Sequence, residues 1–334
     1  MSRAREFADL AGSADAGGLT GRNVVVNGSF AISQRGTSFS APNGTYTLDR
    51  MRCAQANSAD TISQQTFTAG QTDVPGSPKN YLRFAFGAAT ANRVLETRIE
   101  DVYTLSGQSI TLSFYAKASA AHTSTIEMTQ SFGSGGSSAV AFGTQSYDIT
   151  TSWQRFEFTL SCPSISGKTI GAGNYLSAAF IRSLSAGPSI NVDIALLQLE
   201  VGEQATPFEH EPFGVTLQKA MRYYEKSYDY PTAPGASATY PDNIPLTVRG
   251  QDEETSGQRY FTHNLKVEKR AAPTNTFYDE SGNTGKVTTY DSGGTPTNNV
   301  SIALVVTMRS RIGAGPGNSA IWGHGFYYES DAEL

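Results

Sequence analysis

Four histidines, two cysteines and scattered carboxylates are the residues of this 334-residue chain equipped for covalent or acid–base chemistry, and their spacing assembles none. His122, His210, His263 and His324 stand far apart, with no nucleophile motif around them. A hydrolytic site needs nucleophile, base and orienting group within reach of one another. The chain has no Gly-x-Ser-x-Gly elbow, no His-Glu-x-x-His and no Cys-x-x-Cys. Two carboxylate pairs invite a glycosidase reading. Glu253 and Glu254 are adjacent, so a strand points them to opposite faces, and Glu96 with Glu100 has no aromatic platform beside it. The glycine-rich run at 131–138 lacks the lysine and following helix of a phosphate cradle, and reads as a long hairpin tip. Cys53 and Cys162 lie in strand-like runs and read as free, buried thiols. The expectation is a protein that is not an enzyme.

Residues suited to binding are more numerous, with 16 Tyr and 17 Phe beside only two Trp. Trp153 opens an amphipathic strand and reads as a core residue. Trp322, followed by Gly323, reads as a loop or strand-end contact, or an anchor between subunits. Tyr223, Tyr224, Tyr228, Tyr230 and Tyr240 crowd the joint between two expected domains, and tyrosines with one wet end suit interfaces. Trp322, Tyr240, Tyr228 and Tyr230 are therefore the ligand or interface candidates, with packing favoured over sugar for the tyrosines. A net charge of -5 with 16% charged residues argues against a nucleic-acid partner, which needs a basic face. The one basic cluster, Lys266, Lys269 and Arg270, reads as a solvated strand end. No window approaches about 18 consecutive apolar residues, so no membrane insertion is expected. The first residues lack the apolar core of a secretion signal.

The elements that must position these residues are strands. Ile110, Leu112, Phe114 and Ala116 alternate with Thr111, Ser113, Tyr115 and Lys117, and Phe156, Phe158 and Leu160 alternate with Arg155, Glu157 and Thr159. Val192, Ile194 and Leu196 share one parity, then Leu197, Leu199 and Val201 take the other, which predicts a β-bulge near Leu196-Leu197. Leu217, Met221 and Tyr224 fall at helical spacing, with Thr216 as the N-cap. The fold expected is all-β: two antiparallel, jelly-roll-like β-sandwiches joined by a short helix, with an extended N-terminal segment. Residues 1–22 form that segment, 23–212 the first sandwich, 213–235 the helix and linker, and 236–334 the second sandwich. In the segment, residues 3–10 make two helical turns with Phe7 and Leu10 on one side, and Gly12, Gly17, Gly18 and Gly21 end them. The segment reads either as a disordered tail or as a peptide that orders on docking.

Several stretches carry a family resemblance in their order and spacing. They are residues 23–30 with 32–36, Tyr46-Thr47-Leu48-Asp49-Arg50, residues 197–209, 220–228 and 269–278, and the closing Ser330-Asp331-Ala332-Glu333-Leu334. Together they resemble the carbohydrate-binding-like β-sandwich of tailed-bacteriophage tail-fibre and other virion proteins. Met51 stands where a Trp is expected and Ser29 where an acid is common. The resemblance implies an oligomeric virion protein, a trimer, assembled in the host cytoplasm: a tail fibre or receptor-binding adhesin contacting host surface polysaccharide. A capsid decoration (head fibre) protein is the alternative, and a capsule-modifying enzyme a more distant one. Other virion proteins and copies of itself would be its partners, with Arg3, Arg5, Phe7 and Leu10 in the attachment segment. Such jelly rolls hold a structural calcium, for which Asn27, Asp193 and Glu200 are the oxygen ligands on offer. Backbone turn-making accounts for Asn27-Gly28 equally well, and no other cofactor is expected.

Overall fold

In the computed structural model, residues 21–40, 42–88, 92–183, 189–237, 248–249, 261–290, 295–316 and 323–334 are described. The chain divides into two compact units. Unit 1 holds the residues up to Thr216 except 34–36, together with Leu334; unit 2 holds residues 34–36 and 217–333.

Unit 1 is built from strands numbered in chain order. One sheet runs β1 (Ser38–Ser40), β4 (Thr61–Thr66), β5 (Asn80–Phe86), β12 (Ile190–Val201), β7 (Ser109–Ala118), β10 (Gln154–Ser161). The other runs β2 (Thr45–Tyr46), β3 (Met51–Gln55), β6 (Arg93–Ile99), β11 (Tyr175–Ser183), β8 (His122–Ser131), β9 (Val140–Ile149). The alternation explains why they pack. Leu82, Phe84 and Phe86 of β5, Leu112 and Phe114 of β7 and Phe158 of β10 share one core with Met51, Leu95, Ile126, Met128 and Phe180 of the second sheet. Residues of the opposite parity, such as Tyr81, Arg83, Tyr115 and Lys117, are left on the outer face of the first sheet. The glycine-rich run forms the β8–β9 connection, as expected of a hairpin tip. Both cysteines are free and buried, and burial pushes the Cys53 thiol up to about 12.

The bulge is where the sequence places it. Pairing of β12 with β7 shifts between Ala195 and Gln198, and Leu196 sits at φ 52. Val192, Ile194, Leu197 and Leu199 enter the main core, whereas Ala195 and Leu196 turn to the outer face. The opening stretch docks at this point. The Leu197 amide donates to the Gly28 carbonyl at 2.9 Å, and the Val24 amide to the Leu199 carbonyl at 2.9 Å. The Asn23 side chain donates to the Leu197 carbonyl and accepts from the Leu199 amide, both at 3.1 Å. A Cβ on Gly28 would lie 2.0 Å from the Leu197 oxygen, so only glycine allows this approach.

Helix α1 (Phe213–Met221) follows Pro212. Thr216 is not its cap, as the sequence reading had it: it lies inside the helix, buried, with its hydroxyl donating to Glu211 Oε2 at 3.3 Å. Nor is the segment up to residue 235 a linker, because β13 (Tyr224–Lys226) within it is a paired strand of unit 2.

Unit 2 has a three-stranded sheet, β13, β21 (Tyr327–Asp331), β16 (Thr274–Tyr278). Its six-stranded sheet runs β14 (Val248–Arg249), β20 (Gly323–Gly325), β17 (Lys286–Tyr290), β18 (Pro296–Thr307), β19 (Arg311–Pro316), β15 (Phe261–Asn264). Phe277 and Tyr328 of the small sheet share a core with Val287 and Ile312 of the large one. Beside this core lies an ion pair. Glu225 and Lys269, both without exposed side-chain surface, meet at 2.7 Å. Glu225 also accepts from the Tyr328 hydroxyl at 3.0 Å and the Lys266 amide at 3.0 Å. Lys269 donates further to the Val267 carbonyl at 2.9 Å and to that of Met221. The expectation of a solvated basic strand end thus fails for Lys269. Burial draws its pKa down while the Glu225 charge opposes the shift.

Two stability outcomes follow from these geometries. Gly28→Ala should lower unit 1 stability by about 1–3 kcal/mol in urea titration, and no loss would contradict the close approach. Glu225→Ala strands a buried ammonium and should cost about 3–5 kcal/mol, which Glu225→Leu with Lys269→Met together largely restores. A single-variant cost below about 1 kcal/mol would contradict the pair's burial.

Candidate functional site

The outer face of the β1–β4–β5–β12–β7–β10 sheet gathers polar and aromatic side chains in register. Lys117 on β7 stands opposite Asp193 on β12, Asp193 opposite Arg83 on β5, and Arg83 opposite Ser63 on β4. One step along, Arg155 pairs with Tyr115, Tyr115 with Ala195, and Tyr81 with Gln65. Trp153, just before β10, closes the first row beside Lys117, whose ammonium is 5.1 Å from the ring centroid.

Phe67, Tyr81 and Trp153 form a mutually packed trio, with centroids 4.8 Å (Phe67–Tyr81), 5.4 Å (Phe67–Trp153) and 5.6 Å (Tyr81–Trp153) apart. Tyr115 and Phe208 join them around buried Val74, Ala195 and Leu196. The bulge supplies the last two, and the β4–β5 loop carries Phe67 and Val74 onto them. All five rings remain half-buried. Pairs of this kind contribute about 0.5–1.5 kcal/mol beyond the area they cover, which holds the group together while leaving ring surface accessible.

Charge on this face is ordered. Arg83 makes a bidentate bond to Asp193, Nε to Oδ1 at 2.7 Å and Nη2 to Oδ2 at 2.9 Å. That bond holds the Arg83 pKa above its ordinary value, and burial together with the Asp193 charge pushes the Tyr81 phenol up. Arg155 lies 2.9 Å from Glu157 and donates to the Thr206 carbonyl at 2.6 Å. Aromatic faces flanked by fixed donors can stack the apolar side of a ring-shaped ligand and bond its polar rim.

The three residues offered as calcium ligands are not brought together, and the expected site is not present in that form. Asn27 Nδ2 donates to the Ile32 and Asp49 carbonyls, and its Oδ1 accepts from the Ile32 amide, all at 2.9 Å. Asp193 is held by Arg83. Glu200 accepts from Gln198 Nε2 at 2.8 Å, the Thr206 amide at 2.9 Å and the Thr206 hydroxyl at 2.7 Å. Strand rise puts Asp193 and Glu200 about 20 Å apart. Among the described residues no three His, Cys, Asp or Glu side chains cluster as a metal site.

Tyr228 is no surface contact either. It is buried in unit 2, stacked on Tyr327 at 4.5 Å, and its hydroxyl accepts from the Gly235 amide at 3.2 Å. Tyr230 is half-buried, and its carbonyl accepts from Lys226 at 2.8 Å. Trp322, Tyr240, Arg3, Arg5, Phe7 and Leu10 lie outside the described residues. Trp153, expected in the core, belongs instead to the outer-face group. Phe67, Tyr81 and Phe208 were not singled out from the sequence. Alternation against Leu82, Phe84 and Phe86 was signal enough for Tyr81; Phe67 and Phe208 lie in loops, where no period marks them.

No family model matches the chain, and no curated protein matches it. Several solved structures are loosely similar. The enzymatically active domain of tailspike protein 4 of bacteriophage CBA120 is 17% identical over 54% of this chain and 21% of that one, with a TM-score of 0.34. This chain therefore spans about a fifth of it. The N-terminal cellulose-binding domain of β-1,4-glucanase C from Cellulomonas fimi is 14% identical over 40% of this chain and 88% of that one, TM-score 0.29. A family 11 carbohydrate-binding module from Clostridium thermocellum is 11% identical over 54% and 99%, TM-score 0.31. The fold stands on its own strand pairing.

With Asn27, Asp193 and Glu200 all committed to protein partners, millimolar calcium is expected to leave the melting temperature where EDTA leaves it. A calcium-dependent rise that Glu200→Gln removes would overturn the bonding described for that residue.

Proposed function

We propose that this chain is a non-enzymatic bacteriophage virion protein, a homotrimeric tail fibre or receptor-binding adhesin, and that unit 1 grips host surface glycan on the outer face of its first sheet. One observation carries the binding reading: the half-buried Phe67, Tyr81 and Trp153 rings, set beside an in-register row of Lys117, Asp193 and Arg83. A pyranose has an apolar C–H face and a rim of hydroxyls. Aromatic rings suit the first, and fixed charged donors and acceptors suit the second. Every carboxylate named on this face is tied to an arginine, a threonine or a glutamine, an arrangement suited to holding a ligand in place. The virion assignment rests on the sequence resemblance, with residues 1–22 as the attachment segment.

The test is a glycan array followed by titration calorimetry on the best ligand. Trp153→Ala should weaken binding at least tenfold, a loss of about 1.4 kcal/mol, while Trp153→Phe keeps most of it. Melting curves establish that both variants fold. Unchanged affinity in Trp153→Ala would remove the outer face from the reading. The bound glycan should yield no new reducing ends on prolonged incubation, and their appearance would make the protein an enzyme.

A further inference from the structure

The cations of the outer face are not held alike. Arg83 is matched by Asp193 and Arg155 by Glu157, each at hydrogen-bonding distance. Lys117 is the weaker partner of an acid it shares with Arg83. Its nearest carboxylate oxygen, Asp193 Oδ2, is 4.0 Å away, beyond hydrogen-bond reach and already taken by Arg83. Among the described residues the Lys117 ammonium makes no hydrogen bond, and 34% of its side chain is exposed. It is not a lysine free in solvent, because it stands 5.1 Å from the Trp153 centroid on β7, the strand beside the β10 edge. The acids of the flanking loops, Asp73 and Glu203, are exposed and do not pair with it. A further cation, Lys79, is exposed beside Phe67, whose amide donates to the Lys79 carbonyl at 2.9 Å. The named cations of this face and its flanking loops are matched in number by named acids, and what sets Lys117 apart is an ammonium standing beside Trp153 with no hydrogen bond of its own.

We infer that the glycan bound here is acidic, a polysaccharide containing hexuronic acid whose ring stacks on the aromatic group and whose carboxylate accepts from Lys117. This rests on the glycan-binding reading of the same face. The chemistry fits because a hexuronate carries its carboxylate directly on a carbon of the pyranose ring. A ring on the aromatic trio and an acid at an ammonium beside Trp153 are then met by one sugar residue. An ammonium with no protein hydrogen bond has a donor free for that acid, and a charge-assisted bond is about twice as strong as a neutral one. A neutral sugar would leave this donor set underused.

The experiment is an array pairing uronate-containing bacterial polysaccharides with their carboxyl-reduced forms, probed with the full chain, Lys117→Gln, Lys117→Arg and Trp153→Ala. The wild type should retain at least one acidic polymer tenfold or more over its reduced form. Lys117→Gln should abolish that preference, Lys117→Arg restore most of it, and Trp153→Ala weaken both forms. Equal retention of acidic and reduced forms, with Trp153→Ala still weakening both, overturns the acidic-sugar inference and leaves the glycan reading standing. A preference that survives in Lys117→Gln overturns the role of Lys117. Failure to retain any polymer overturns both.

Discussion

The twelve-residue strand β12 runs through the interior of a six-stranded sheet, and unit 1 depends on its changing parity once along the way. A strand of strict alternation would send Leu196 into the core and Leu197 out of it. The bulge between Ala195 and Gln198 instead keeps Ile194 and Leu197 both inward and turns Ala195 and Leu196 outward together. Leu196 adopts a left-handed φ to do so, a local strain that surrounding contacts must hold. Those contacts come from the opening stretch, where Gly28 and Asn23 bond the backbone of Leu197 and Leu199. The carbonyls and amides that β12 presents beyond the end of its pairing with β5 at Ile194 are thereby given partners.

The same irregularity shapes the outer surface. Two adjacent apolar residues facing outward form a small step on an otherwise polar sheet, and Val74 settles on it with Phe67, Tyr81, Tyr115, Trp153 and Phe208 around it. The aromatic group is therefore a second, smaller core set outside the main one. It is half-closed because only loops cover it. Side chains anchored this way lose little freedom when a ligand arrives, so a larger part of each contact is expressed as affinity.

How much of this could be read in the chain follows from how local each signal is. The parity change at Leu196-Leu197 and the alternation of residues 110–117 are short-range patterns, and they are where the sequence reading puts them. Residues 23–28 and 197–199, the stretches most marked in the sequence, do meet. What was misjudged depended on distant partners. Lys269 reads as surface until Glu225, 44 positions away, is seen to bury it. Trp153 follows the strand period of its own segment, but nothing local says that Phe67 and Tyr81 wait on the outer side. Asn27 and Glu200 carry the right atoms for a cation, and local bonds to backbone and to Thr206 take them first.

Two of the ion pairs illustrate different uses of the same chemistry. Glu225–Lys269 has no exposed side-chain surface, and its desolvation is offset by the Tyr328 hydroxyl and backbone groups that complete both coordination shells. Such a pair adds little net stability over an apolar substitute and chiefly fixes one arrangement of strands. Arg83–Asp193 is different, because Asp193 is buried and Arg83 is 29% exposed at its side chain. Reached by solvent on the arginine side, it too contributes little to folding. What it does is fix the guanidinium 5.8 Å from the Tyr81 ring centroid, with Nη2 also donating to the Tyr81 hydroxyl at 3.4 Å. On a face proposed to bind sugar, a positively charged group whose orientation is set before the ligand arrives matters more than the strength of the pair that sets it.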